Sequence, residues 1–222
     1  HHGISAIVLY ALLVEGAITM EKIESDYGAS TTTIVRGLQK AYGLYERNVA
    51  VDTENFRKLL ISFAEDVRVI MIMIVERLAT MRALDKYEPD AQQKIAREVS
   101  YLYAPLAHRM GLYAIKTELE DLSLKYTSYD IYKEIAYKLN ETKRSRDAYI
   151  TQFIEPVKKA LEAQGLTFSI KGRTKSIHSI WNKMRKQQVP FEKVYDLFAI
   201  RVIIDCPEEQ EKAACWQAFS VV

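Results

Sequence analysis

Up to Gly165, apolar side chains recur every three or four residues, the spacing that places them on one face of an α-helix. Capping residues, Gly and Pro mark where each helix begins and ends. The predicted helices cover residues 4–15, 19–28, 30–41, 52–84, 91–109, 113–126 and 129–164. Residues 4–15 are apolar on nearly every side, so we expect this first helix to be buried.

Beyond these helices the apolar period changes to two, which is the alternation of a β-strand. Leu166, Phe168 and Ile170 alternate with polar residues and predict a strand that ends near Lys171. A second strand is predicted at 197–204, and a last helix follows it. The fold class is therefore α+β, with an all-helical region followed by the beginning of an α/β domain.

The composition is that of a globular protein of 222 residues, 49% of them apolar, with a formal net charge of +2. So balanced a charge does not favour nucleic acid as the main ligand. The two cysteines, Cys206 and Cys215, are expected to be reduced thiols, because no secretory signal is evident. No apolar run approaches the roughly 20 residues of a membrane-spanning helix, so we expect a cytoplasmic protein without membrane contact.

Positive charge is concentrated in one segment, Lys171–Lys186, which contains six Lys or Arg residues and no carboxylate. As a strand, a Gly turn and a helix that opens near Thr174, this segment sorts its side chains at about 100° per residue. The apolar positions of that helix share one face: Ile177, Ile180, Trp181 and Met184. Its basic and hydroxyl side chains share the other: Lys175, Ser179, Lys183 and Lys186.

The basic face is suited to polyphosphate. A helix N-terminus presents oriented N–H donors and about half a positive charge, and ammonium groups one turn apart can contact successive phosphates. The Thr174 hydroxyl is expected to cap the helix. A solvated basic surface is the alternative for any Lys-rich helix. The lack of neighbouring acids and the sequence Gly-Arg-Thr-Lys at the strand-to-helix junction favour a binding site.

The same residues carry a family resemblance. Gly172–Met184 and Val194–Ile203 resemble, in order and separation, the opening of the synthetase domain of the RelA/SpoT family of alarmone enzymes. Such enzymes transfer pyrophosphate from ATP to the 3′-hydroxyl of GTP or GDP and make (p)ppGpp in the stringent response. The resemblance implies a nucleotidyltransferase-like synthetase domain, of which residues 165–222 would be the start.

The resemblance also implies roles for single residues. Arg173 would stack on the adenine of ATP, and Lys175 and Lys183 would hold its phosphates with Ser179 beside them. Asp196 would be the catalytic carboxylate and would bind Mg²⁺, the cofactor of this site. The implied substrates are ATP together with GTP or GDP.

The helical region resembles the other half of the same family, an HD-type hydrolase domain. The matching stretches are Thr53–Leu60, Asp66–Ile70 and Arg77–Leu84, with Tyr103–Gly111 matching helices that link the two halves. The implied domains are an HD-type domain at 1–110, a helical linker at 111–164 and the synthetase start at 165–222.

The metal-binding positions of that hydrolase pattern have been replaced. The expected His-Asp pair reads Tyr10-Ala11, and the acidic pair beyond it reads Val14-Glu15. The later Asp position is Glu76, and the polar position one turn on is Thr80. Tyr and Ala offer no useful ligand for a divalent metal, so we expect no metal in this domain and no (p)ppGpp hydrolysis. The domain would then act as a regulator of synthesis.

In the family, the guanine-nucleotide subsite, a second acidic metal ligand and the base for the 3′-hydroxyl follow the positions matched here. We therefore expect this chain to be the N-terminal piece of a longer protein and inactive by itself. Contacts with the ribosome and tRNA are expected only through regions outside it.

Two other functions stay open. The chain could be a nucleotide-sensing module that completes no reaction, and further acidic and guanine-binding residues beyond Val222 would argue against this. It could also bind RNA through the basic helix. Such binding would weaken steeply with salt and would favour long strands over mononucleotides.

Overall fold

The computed structural model describes residues 2–46 and 66–221, and contacts divide the chain into two compact units, His1–Ser128 and Tyr129–Val222. The predicted helix start at Asp52 and the family match over Thr53–Leu60 lie outside the described residues. None of the helices in the described part of the chain is long and apolar enough to cross a membrane.

The first unit is entirely helical among its described residues. Its elements are α1 (His2–Val14), α2 (Met20–Glu46), α3 (Val67–Arg82), a 3₁₀ turn (Leu84–Lys86), α4 (Pro89–Glu98), a π-helical turn (Val99–Tyr103), α5 (Ala104–Arg109) and α6 (Tyr113–Thr127). Gly28 interrupts α2 with a φ of 76°, in the left-handed region that favours glycine. The break predicted there from the sequence is therefore confirmed.

Helix α1 is less buried than the sequence predicts. Only Ala6 and Leu9 of this helix are buried. Five more of its large apolar side chains are exposed, Ile4, Ile7, Val8, Leu12 and Val14, while Tyr10 and Leu13 are partly buried. The expectation of a buried helix is wrong because α1 packs mainly against α2, and one packed face covers only one stripe of an all-round apolar helix.

The core of the first unit lies where α2 and α3 cross and where α6 covers α3, α4 and α5. Fully buried side chains from these helices include Ile34, Leu38, Met73, Met81 and Leu119. The crossing of α2 and α3 is unusually close at Gly37, where a Cβ would lie 2.5 Å from the Val69 Cγ2 atom. The missing side chain at Gly37 therefore sets the separation of these two helices.

The second unit combines helices with a small sheet. Its elements are α7 (Tyr129–Glu141), α8 (Lys143–Ala163), β1 (Phe168–Thr174), α9 (Ile177–Gln187), β2 (Phe198–Ile204) and α10 (Glu211–Val221). The strands are antiparallel, with Phe168 opposite Ile204 and Thr174 opposite Phe198. Helices α8 and α10 cover one face of the sheet through Val157, Leu161 and Ala218. A helical unit followed by a small sheet with helices confirms the coarse α+β class.

The junction between β1 and α9 differs from the prediction. Strand β1 continues to Thr174 instead of ending near Lys171, and Ser176, not Thr174, caps α9. The predicted Gly turn is wrong because Gly172 lies inside the strand opposite Ile200. A Cβ at Gly172 would lie 2.9 Å from the Ile150 Cγ2 atom, so glycine serves here for close packing of α8 on the sheet.

The division into units also differs from the predicted domain bounds. Helix α6 belongs to the first unit, while α7 and α8 belong to the second, so the predicted linker at 111–164 is shared between the two units. The bounds 1–110, 111–164 and 165–222 stay a prediction of the family resemblance.

Replacement of Gly37 by alanine should destabilise the first unit. The stiff, branched side chain of Val69 has little room to move away from the added Cβ. We expect the free energy of unfolding to fall by about 1–3 kcal/mol, the usual cost of overpacking a core. Urea unfolding followed by circular dichroism measures this change.

Gly43 in the same helix provides the matched control, because no atom of the described residues lies within 4 Å of a Cβ added there. Gly43→Ala should leave stability unchanged or raise it by up to about 1 kcal/mol, through the higher helix propensity of alanine. Equal losses in the two variants would contradict the close contact at Gly37.

Candidate functional site

Two lysines and an aspartate meet in the second unit. The Lys183 Nζ atom lies 2.7 Å from Asp196 Oδ2 and donates a second hydrogen bond of 2.9 Å to the Tyr195 carbonyl oxygen. The Lys175 Nζ atom lies 3.9 Å from the same Asp196 Oδ2. The backbone N–H of Lys175 donates to the Leu197 carbonyl oxygen over 2.9 Å, which ties the β1–α9 junction to the start of β2. We call Lys175, Lys183 and Asp196 the Lys–Asp cluster.

Helix α9 brings its lysines to this cluster because its other face is buried. The predicted apolar stripe packs into a small core around Ile135 of α7 and Phe191: Ile177, Ile180, Trp181 and Met184. At the first turn, the Ser176 hydroxyl accepts from the Ser179 backbone N–H over 3.2 Å and contacts the Ser179 hydroxyl at 2.9 Å. The two-faced helix predicted from the sequence is confirmed, with the cap moved to Ser176.

The backbone and the neighbouring charges both mark Asp196. Its φ is 61°, a left-handed conformation that is uncommon for a residue with a side chain and is tolerated best by Asp and Asn. The hydrogen bond from Lys183, followed by the positive charges of Lys183 and Lys175, holds the pKa of the Asp196 carboxyl below its usual value. Asp196 is therefore an ionised, exposed carboxylate at neutral pH.

This carboxylate suits the chemistry of Mg²⁺. Both lysine contacts fall on Oδ2, and Oδ1 of Asp196 takes part in neither. Mg²⁺ is bound in proteins by one or two carboxylates that share it with substrate phosphates and water. Asp196 could hold the ion through Oδ1 while Lys175 and Lys183 meet the phosphates.

Arg173 lies apart from the Lys–Asp cluster, on the open face of the sheet. It is exposed, stands opposite Ala199, and makes no hydrogen bond or ion pair with the described residues. Lys171 and Arg201 are directly opposite each other on the same face. Like charges that face each other across two strands repel. With Arg173, these two residues make the open face a second basic surface. Sequence reasoning did not single out Arg201, although the alternation of β2 would have placed it there.

The positions of the replaced hydrolase ligands meet in the first unit. Five of the six line a cavity of about 280 Å³, Tyr10, Ala11, Val14, Glu15 and Glu76, together with Ile7, Leu38, Tyr42 and Ile72. The rings of Tyr10 and Tyr42 stack at 5.3 Å between centroids. Thr80 is not among the lining residues, and its hydroxyl donates to the Glu76 backbone carbonyl over 3.1 Å. We call this space the tyrosine cavity.

The hydroxyl of Tyr42 donates a hydrogen bond to the Glu76 carboxylate. Burial, followed by this hydrogen bond and the Glu76 charge, raises the pKa of Tyr42 well above its usual value, so the hydroxyl stays protonated. Among the described residues, no group of three or more His, Cys, Asp or Glu is arranged to hold a metal ion. The carboxylates that line the tyrosine cavity are those of Glu15 and Glu76.

Comparison with known proteins finds two family matches and several relatives. Residues 1–113 match the model of the HD domain, and residues 172–222 match a model described as a region found in RelA/SpoT proteins. A probable guanosine-3′,5′-bis(diphosphate) 3′-pyrophosphohydrolase of Synechocystis is 34% identical over 221 residues, which is 99% of this chain and 28% of that protein.

Two further relatives bear different names. A GTP pyrophosphokinase of Photobacterium angustum is 30% identical over 98% of this chain and 29% of its own length. A guanosine-3′,5′-bis(diphosphate) 3′-pyrophosphohydrolase of Aquifex aeolicus is 33% identical over 100% of this chain and 31% of its own length. The chain thus spans less than a third of each of these relatives.

Removal of the Lys183 ammonium should raise the pKa of Asp196. The nearest positive charge and its hydrogen bond both hold this pKa below the ordinary value of 3.8. In Lys183→Met both are lost, so the pKa should move up towards that value. Carboxyl-carbon NMR titration of Asp196 measures the shift.

The control variant is Lys212→Met, since Lys212 is exposed on α10 and has no hydrogen-bond or ion-pair partner among the described residues. Because the folded-state pKa of Asp196 is depressed, the ion pair stabilises the fold above the unfolded-state pKa and loses this effect as pH falls through the folded-state pKa. The stability difference between wild type and Lys183→Met should therefore shrink on acidification. A difference that grows instead would contradict the pairing.

Proposed function

Because the chain belongs to the RelA/SpoT family and carries an HD domain in its first half, we propose that its second unit supplies the ATP site of a (p)ppGpp synthetase. The complete protein would transfer pyrophosphate from ATP to the 3′-hydroxyl of GTP or GDP in the cytoplasm. The names of the relatives cover both synthesis and hydrolysis, so the choice between these reactions depends on the residues of this chain.

The observation that carries the proposal is the Lys–Asp cluster. Two ammonium groups and one ionised carboxylate converge beside a capped helix N-terminus, within a stretch that matches the RelA/SpoT region. Polyphosphate bound with Mg²⁺ needs such a combination, because its negative charge must be neutralised by both lysines and metal. Phosphoryl transfer relies mostly on positioning and charge neutralisation, which fixed lysines and a fixed carboxylate can provide.

Each residue then has a role in one displacement. The 3′-oxygen of the acceptor nucleotide bonds to the β-phosphorus of ATP as the bond between that phosphorus and the α,β-bridging oxygen breaks, and AMP leaves with the oxygen. The proton of the 3′-hydroxyl would pass to the base that the family resemblance places outside the matched residues. Lys175 and Lys183 would neutralise the phosphate oxygens, with Ser179 beside them. Asp196 would hold Mg²⁺, which supplies charge neutralisation at the phosphates when bound. Arg173 would stack on the adenine.

The order of the surrounding elements supports this assignment. Strand β1, helix α9 and strand β2 follow one another as expected for the start of a nucleotidyltransferase-like domain. We propose that fold for the completed second unit. Ribosome and tRNA contacts would belong to other parts of the protein.

We further propose that the HD domain does not hydrolyse (p)ppGpp and instead regulates synthesis. The tyrosine cavity presents tyrosine, alanine and valine where the hydrolase pattern has metal ligands. A divalent metal with only Glu15 and Glu76 as side-chain carboxylates would be weakly held.

Lys175→Ala should abolish synthesis in the complete protein. Loss of one phosphate-neutralising ammonium is expected to lower the rate of (p)ppGpp formation by about a hundredfold or more. Synthesis from ATP and GTP, followed by chromatographic separation of the products, measures it. Lys212→Ala removes a lysine from α10 and should retain the wild-type rate.

Synthesis at the wild-type rate in Lys175→Ala would contradict the proposed role of the Lys–Asp cluster in the ATP site. If the wild-type complete protein binds ATP with Mg²⁺ but forms no product, it is a nucleotide-sensing module. If binding prefers RNA to mononucleotides and falls steeply with salt, the basic helix is an RNA site.

The HD domain should leave ppGpp intact in the presence of Mn²⁺ or Mg²⁺. Under the same conditions the Aquifex aeolicus relative named as a pyrophosphohydrolase serves as the positive control. Restoring histidine and aspartate at Tyr10 and Ala11 should not recover activity, because Val14 and Glu76 remain. Pyrophosphate released from ppGpp by the wild-type chain would contradict the proposal.

A further inference from the structure

The tyrosine cavity has walls unlike those of a phosphate or metal site. Five of its nine described lining residues are aliphatic and come from α1, α2 and α3: Ile7, Ala11, Val14, Leu38 and Ile72. Two stacked tyrosine rings, Tyr10 and Tyr42, form another part. The cavity is open to solvent, since five of its lining residues are exposed: Ile7, Ala11, Val14, Glu15 and Glu76.

The charged side chains that line the cavity are acidic. Glu15 and Glu76 line it, and no Lys or Arg is among its described lining residues. Arg77, the next residue along α3, is paired with Glu98 at 3.3 Å and lies against the Tyr103 ring at 4.7 Å. The charged side chains that line the cavity among the described residues therefore favour a cation over polyphosphate.

The aromatic pair also favours a positively charged ligand. A tyrosine ring has a negative face that attracts cations, and this attraction strengthens where water is excluded. The Tyr42 hydroxyl donates to Glu76, which holds the carboxylate beside the rings while one of its oxygens can accept from a ligand. Apolar walls, ring faces and a fixed carboxylate together match a group that is both apolar and positively charged.

We propose that the tyrosine cavity binds a small organic cation, an ammonium group that carries an apolar body. The ammonium would lie between Glu76 and Glu15 and donate hydrogen bonds to them. Its apolar body would lie against Ile7, Leu38 and the tyrosine rings. A bare divalent metal fits less well, since two carboxylates in an apolar cavity leave most of its coordination unsatisfied.

Binding can be tested with benzylammonium as the probe and the whole chain as the protein. Benzyl alcohol and benzoate are the neutral and anionic matches of the same shape. Benzylammonium should bind about tenfold more tightly than benzyl alcohol, and benzoate should bind more weakly than either. Calorimetric titration gives the affinities, and NMR shifts of the Tyr10 and Tyr42 rings locate the site.

Charge-removing variants separate this site from general surface binding. Glu76→Gln and Glu15→Gln should each weaken benzylammonium binding by about three- to tenfold and leave benzyl alcohol binding unchanged. Glu88→Gln is the matched control, because Glu88 is exposed and does not line the cavity. Glu15 is exposed just after the end of α1, so its variant should fold even if the Glu76 variant does not.

Equal affinities for benzylammonium and benzyl alcohol would overturn the proposal, and so would no saturable binding. An equal effect of Glu88→Gln and Glu15→Gln would do the same. These measurements need no nucleotide, so their outcome is independent of whether the complete protein synthesises (p)ppGpp.

Discussion

Burial of one face of α9 determines what the second unit can do. Ile180 is fully buried against Ile135 and Phe191, and this contact fixes the rotation of the helix about its axis. The opposite face is then directed away from this core. Lys183 on that face donates hydrogen bonds to the Asp196 carboxylate and to the Tyr195 carbonyl. Hydrophobic packing thus positions the charged groups, because ion pairs at an exposed site are too weak to orient a helix.

The two-faced character of α9 could be predicted because a helix repeats every 3.6 residues and its apolar stripe is complete. The end of β1 could not, because glycine serves both turns and close packing, and only the contact with Ile150 tells which applies at Gly172. The exposure of α1 was missed for a related reason. Sequence shows that a helix is apolar on every side, but the number of neighbours depends on how the other helices pack.

The contacts within the candidate sites could not be predicted from the sequence either. Lys183 and Asp196 were expected to act together only through the family resemblance, since nothing in their spacing predicts the 2.7 Å contact. Tyr10 and Glu76 were named as replaced ligands on the same basis, and both line the tyrosine cavity. Tyr42, which connects them by stacking and a hydrogen bond, has no sequence signal of its own. The first unit therefore presents an acidic, aromatic cavity and the second a cluster rich in lysine.

The glycine contact between α2 and α3 has a mechanical consequence for that cavity. At Gly37 the backbone of α2 packs directly on the Val69 side chain, because Gly37 has no side chain of its own. This close packing restricts movement of α2 relative to α3. Tyr42 belongs to α2 and Glu76 to α3, so the contact between Gly37 and Val69 also sets how far apart these two residues lie. Helix α2 is interrupted at Gly28, outside the stretch that carries Gly37 and Tyr42. We therefore expect any bending of α2 to occur at that interruption, with the part of the helix that carries Gly37 and Tyr42 moving as one piece.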